Sequence, residues 1–109
     1  MILSTTEILE GYDVTEYLGI VTGETISGAN ILRDVMATVT DFVGGRSAAY
    51  EEELGGARDS CIRELKERAQ RIGADGVLAL SIDFEVIGGR GAMIMVTAIG
   101  TAVRLRKRT

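Results

Sequence analysis

YEEELGGARDSCIRELKERAQRI, residues 50–72, decides the fold. Tyr50, Leu54, Ala57, Cys61, Leu65, Ala69 and Ile72 recur at steps of three and four, which places them on one stripe of a 3.6-residue helix, and Ile62 widens that stripe. The intervening positions carry Glu51, Glu52, Glu53, Arg58, Asp59, Arg63, Glu64, Lys66, Glu67, Arg68 and Arg71, a solvated face. Asp59–Arg63, Glu64–Arg68 and Glu67–Arg71 have the acid-first i,i+4 order, worth about 0.2–0.5 kcal/mol each. Acids in the first turn and bases in the last match the helix dipole. Ser47 is a natural N-cap, and Gly73 supplies the left-handed stop. One long amphipathic helix is predicted. Gly55 and Gly56 run against it, costing together about 1–2 kcal/mol relative to Ala. Either the helix bends there or another backbone comes close; close approach is the favoured reading, with a neighbouring subunit as one source of that backbone.

The flanks read as strands. From residue 2 to residue 9 the chain starts strand-like and breaks at Gly11. Residues 12–27, YDVTEYLGIVTGETIS, are rich in β-branched and aromatic side chains and predict one or two strands with a bend or bulge near Gly19 and Gly23. Val14, Leu18 and Ile20 share a parity there, with Val21 on the other. Residues 28–45 change period, with Ile31, Val35, Val39 and Phe42 on one face, and predict a short helix ended by Gly44-Gly45. Beyond the long helix, Leu78, Leu80, Ile82, Phe84 and Val86 alternate with Ser81, Asp83 and Glu85, and Gly88-Gly89-Arg90-Gly91 turns the chain. The returning strand has Met93, Met95, Thr97, Ile99 and Val103 on one face and Ile94, Val96, Ala98, Gly100 and Ala102 on the other. A strand apolar on both faces is buried on both, or buried on one and used as an interface on the other. One helix covers one face, so the second calls for another copy of the chain.

The 109 residues predict a single domain spanning 1–109, with 46% hydrophobic residues, 5% aromatic ones and no Trp, hence an aliphatic and modest core for which oligomerisation offers extra burial. The net charge of −4 argues against nucleic acid and is uneven. Residues 1–56 hold ten acids and two bases, and residues 57–109 hold six acids and ten bases. Such a bipolar chain either pairs its acidic half with a neighbour's basic half or simply solvates both. One cysteine makes no internal disulfide and suits a reducing compartment. With no signal-peptide pattern and no apolar run of about 18 residues, a cytoplasmic protein without a membrane partner is expected.

With these stretches in view, the chain resembles the YbjQ-like family of small bacterial and archaeal proteins. The resemblance lies in EYLGIVTGE (16–24), GANILRD (28–34), VGGRSAAYE (43–51), RIGADGVLALSIDFEV (71–86) and MIMVTAIGTAV (93–103). It implies an α/β (α+β) two-layer subunit of the dodecin-like kind, with an antiparallel sheet, a helix packed across it, and assembly into a ring, typically a pentamer. The family carries a heavy-metal-binding label, while its molecular role is uncharacterised. This chain has no histidine and no CxxC pair to hold a soft metal, and Cys61 falls on the apolar stripe, where a free thiol acts as a small hydrophobe.

The candidate ligand-binding residues are Arg33, Asp34, Arg46, Ser47 and Glu51. Arg33 and Asp34 stand beside a predicted helix start, where they either bind an anion or polar ligand or form salt bridges across a subunit junction. Arg46 and Ser47 lie beside the N–H groups of the long helix, an anion-binding arrangement in principle, although no GxxxxGKS or GxxxxGKT loop is present. Asp83 and Glu85 on one strand face, with Asp75 in the turn before it, can act as acid and base or hold a hard cation, but carboxylates on a lone strand face read as solvent-facing. Met36, Met93 and Met95 read as core filling. No nucleophile stands with a base, and no catalytic residue, metal ligand or cofactor is assigned. The expectation is a non-enzymatic, cytoplasmic homo-oligomer; the alternative is a small-ligand or metal-ion binding module with a site formed between subunits.

Overall fold

The stripe of residues 50–72 is a helix, α1 (Ala48–Arg71). It belongs to a computed structural model that describes residues 1–27, 48–87 and 93–109, the side chains of 48–50 excepted. The short helix predicted for 28–45 and the turn at 88–91 lie outside those residues. Ala57, Cys61, Leu65 and Ala69 are buried, and Leu54 packs against the same cluster. Ile72, expected on the buried stripe, is half in water, because α1 has ended and the chain is already turning. Gly73 has φ +82°, and the Ala74 N–H donates to Ala69 O at 3.0 Å, the bond that closes a left-handed helix stop.

Four strands lie beneath α1: β1 (Ile2–Leu3), β2 (Tyr12–Ser27), β3 (Gly76–Ile87) and β4 (Met93–Lys107), in the order β1-β3-β4-β2. β2 and β3 both run antiparallel to β4, but β1 pairs parallel with β3 through Ile2–Gly76 and Leu3–Val77. The sheet is therefore mixed rather than antiparallel as expected. Ile2–Leu3 lies at the β3 edge and β2 at the opposite edge, so the segment between them crosses from one side of the sheet to the other. β2 is one strand, with register shifts between Val14 and Glu16 and between Tyr17 and Gly19, which confirms the bulge expected near Gly19. That bulge breaks the parity read from the sequence: Leu18 joins Val21 at the core, and Ile20 points to the opposite face. A second bulge lies between Leu78 and Ser81, where Ala79 has φ +55°. It puts Val77 on the face toward α1 and Leu78 on the other, whereas alternation predicts Leu78 on the same side as Leu80 and Ile82.

The core forms where α1 crosses β2 and β4, around Leu65, Ile94, Val77, Val96 and Cys61. Ile94, Val96, Ala98 and Ala102 of β4 face α1, and the opposite parity carries Met93, Met95, Thr97 and Ile99. Met93 and Met95 are thus half-buried on the outer face rather than core filling beneath α1. β2 spans most of the 56 Å long axis, and the radius of gyration of 17.2 Å exceeds the roughly 13 Å of a compact chain this size.

Helix and sheet approach closely at Gly23. A Cβ there would overlap the Cys61 carbonyl oxygen and lie 3.0 Å from the Leu65 backbone nitrogen, so α1 would have to lift off β2. Gly23→Ala is expected to destabilise the fold by about 1–3 kcal/mol, the usual cost of overpacking, read as a lower midpoint in urea unfolding. An unchanged midpoint would show that α1 does not rest on β2 at this contact.

Candidate functional site

Because α1 packs mainly on β2 and β4, the helix-side residues of β3 are left partly uncovered. Phe84 and Val86, in register with Val96 and Ile94, are 51% and 60% exposed. Between them and the first half of α1 runs a groove of about 600 Å3, lined by Glu51, Leu54, Gly55, Arg58, Phe84, Val86 and Ile94. The helix residues follow the i, i+3, i+4, i+7 spacing of one face. Gly55 lowers that wall: among the described residues, the nearest atom to a Cβ there is an Arg58 guanidinium nitrogen at 3.7 Å. The expected close approach to Gly55 and Gly56 is not made by any described backbone of this chain. Arg58 Nε donates to Asp59 Oδ1 at 3.3 Å, so the groove has an apolar floor and a rim bearing Glu51 and Arg58 with opposite charges. Such a surface receives an apolar group flanked by polar atoms. It offers no nucleophile.

Of the predicted ligand-binding residues, Glu51 is exposed on this rim. Arg33, Asp34, Arg46 and Ser47 lie outside the described residues. The remaining lining residues went unassigned from sequence, although the helix glycines and the apolar run of β3 were their signal. Asp75 plays a structural part, since its Oδ2 accepts the Leu105 N–H at 2.9 Å. Asp83 and Glu85 stand opposite Thr97 and Met95, exposed on the face away from α1 and from the groove. Among the described residues no group of three or more Cys, Asp or Glu side chains is arranged to hold a metal ion.

Cys61 is fully buried, and its Sγ donates to Gly23 O at 3.1 Å, with Val96 O at 3.4 Å. Burial pushes its thiol above the ordinary value, opposed by a backbone hydrogen bond. The thiolate that a soft metal needs is disfavoured in the fold. The uneven charge of the two halves is also resolved within the chain. Asp13 meets Arg108 at 2.8 Å and Arg106 at 3.6 Å, Glu16 meets Arg104 at 3.5 Å, and Glu24 meets Arg68 at 3.5 Å. The Arg108 hydrogen bond leads the causes that hold the Asp13 carboxyl below its usual range.

The sequence profile of a family described as "Putative heavy-metal-binding" matches residues 1–106. The chain belongs to the YbjQ family. It is 49% identical over all 109 residues to a UPF0145 protein of Halalkalibacterium halodurans, itself covered end to end. A crystal structure of a DUF74-family protein of unknown function from Pediococcus pentosaceus superposes with a TM-score of 0.60 at 19% identity, covering 97% of this chain and 98% of that one, a likeness of fold. Among the described residues no helix is long and apolar enough to cross a membrane.

The state of Cys61 can be read directly. Iodoacetamide at pH 8 is expected to leave the folded protein unmodified over a time that fully alkylates the urea-unfolded chain. With its folded value raised, the thiol's contribution to stability is present below the unfolded thiol's ordinary range and lost as pH rises beyond about 9. Equal alkylation rates in the two states would place the thiol at the surface.

Proposed function

We propose that this YbjQ-family chain is the subunit of a non-enzymatic, cytoplasmic homo-oligomer, a closed ring whose subunits meet through sheet surface that α1 leaves open. The observation that carries this reading is the outer face of β2, where Tyr17, Ile20 and Ile26 are 72%, 73% and 56% exposed. They stand opposite Val103, Thr101 and Met95 on the face away from the helix, with exposed Ile99 beside them. An antiparallel sheet whose second face meets water normally presents polar side chains there. Phe84 and Val86 add exposed apolar side chains on the helix side. Five subunits is the number the family resemblance implies. The non-enzymatic part of the reading is supported by a sequence without histidine and a sole cysteine held protonated in the core.

A second reading, a small-ligand or metal-ion site formed between subunits, draws on the apolar groove with Glu51 and Arg58 at its rim and on the family's description. Native mass spectrometry combined with elemental analysis of one sample separates the two. A single multiple of the chain mass with no adduct and no stoichiometric metal is expected. An adduct or metal in fixed ratio to subunits would establish the second reading, and a monomer at micromolar concentration would refute the first.

A further inference from the structure

The edge of β3 that faces away from β4 is closed at its start by residues 2–6. The Ile2 N–H donates to Asp75 O at 3.1 Å and the Ser4 N–H to Val77 O at 2.9 Å, while Ala79 donates to Thr6 O at 2.9 Å and Leu80 to Ser4 O at 3.0 Å. Ala79 is the bulge residue with φ +55°, so the bulge aims its N–H at this segment. Outward groups of an edge strand left without such partners are a template for another strand. Leu78 and Val103 lie at the same end of the sheet, buried on the face away from α1 and apart from the core beneath it. Residues 4–11, crossing from the β3 edge to β2, are the described segment that can cover them.

The hold on the segment is light. Thr5, Thr6, Glu7 and Ile8 are exposed, Ile8 by 78%, and Leu3 packs against the core under α1. The Ser4 and Thr6 hydroxyls are 2.6 Å apart, and Thr6 Oγ1 donates to Ile8 O at 2.7 Å, both contacts within the segment itself. Gly11 has φ +85°, with nothing within 4 Å of where a Cβ would lie, and its carbonyl is fixed by the Arg108 N–H at 2.9 Å. That is a free hinge on an anchored pivot. It stands about 50 Å along β2 from Ser27, farther than residues 28–47 can extend and return.

We propose that residues 1–10 are a strap that opens about Gly11 as one unit while the rest of the sheet stays folded, and that the closed strap keeps the β3 edge at 75–80 from pairing with a strand of a second copy. This goes beyond the homo-oligomer reading, since the strap opens alike in a lone chain and in an assembled one.

Hydrogen exchange resolved to single residues by mass spectrometry tests the opening. In the wild type the Ile2, Ser4, Ala79 and Leu80 amides are expected to share one opening constant, larger than that of Ala98 and Ala102 in β4. Ser4→Pro removes the N–H that reaches Val77 O and is expected to raise exchange at Ala79 and Leu80 roughly two- to tenfold, the change in open population that loss of one backbone hydrogen bond brings. Unchanged protection of Ala98 and Ala102 shows that the variant is folded. Thr6→Val, a milder change that removes the hydroxyl contact to Ile8 O, is expected to act in the same direction. In native mass spectrometry Ser4→Pro is expected to add species above the wild-type mass that grow with concentration. Exchange at Ala79 and Leu80 no faster than at Ala98 and Ala102 in all three chains would overturn the strap as an independent unit. Faster exchange with the mass of the wild type at every concentration would overturn its masking of the edge.

Discussion

Everything in this fold depends on how closely α1 lies against β2 and β4. The contact is made by small groups, Gly23 beneath the Cys61 carbonyl, with Ala57, Ala69, Ala98 and Ala102 around them. Small residues bring the two backbones together and let Leu65 and Cys61 fill the space, a workable core for a chain without Trp. The same contact determines what is left uncovered. A helix with its side chains is roughly 10–12 Å wide and strands lie about 4.8 Å apart, so one helix shields little more than two strands. Resting over β2 and β4, α1 leaves Phe84 and Val86 of β3 exposed, and no placement on one face shelters the other.

Charge handles the end of the sheet that α1 does not reach. Beyond the start of β3, β2 and β4 continue as a two-stranded ribbon, a unit of marginal stability by itself. Asp13, Glu16, Arg104, Arg106 and Arg108 tie its two strands together. Exposed pairs of this kind contribute little each, and they match acids of the first half of the chain with bases of the second.

The helix was legible almost to the residue, because a seven-point apolar stripe, dipole-matched charges and a terminal glycine all agree. Strand existence was equally plain, and so was the two-sided apolar character of β4. Alternation failed at the bulges beside Gly19 and Ala79, since one extra residue reverses every later side chain and nothing in a period-2 pattern announces it. The parallel pairing of β1 was hidden for another reason: two residues carry no periodicity. Of the candidate site, Glu51 was named but its neighbours were not. The groove arises where a helix fails to cover a strand, and Phe84 and Val86 look in sequence like ordinary core residues. Gly55 and Gly56 did announce it, through a helix penalty that no contact within the described chain offsets.

The proposed ring has another copy cover sheet surface that α1 leaves open. Small-angle X-ray scattering over a concentration series, extrapolated to dilution, tests it most directly. An isolated chain has a radius of gyration of 17.2 Å. The account predicts a larger value that persists through the micromolar range, with a forward intensity corresponding to several subunits. A value near that of the single chain, with the intensity of one subunit, would contradict it.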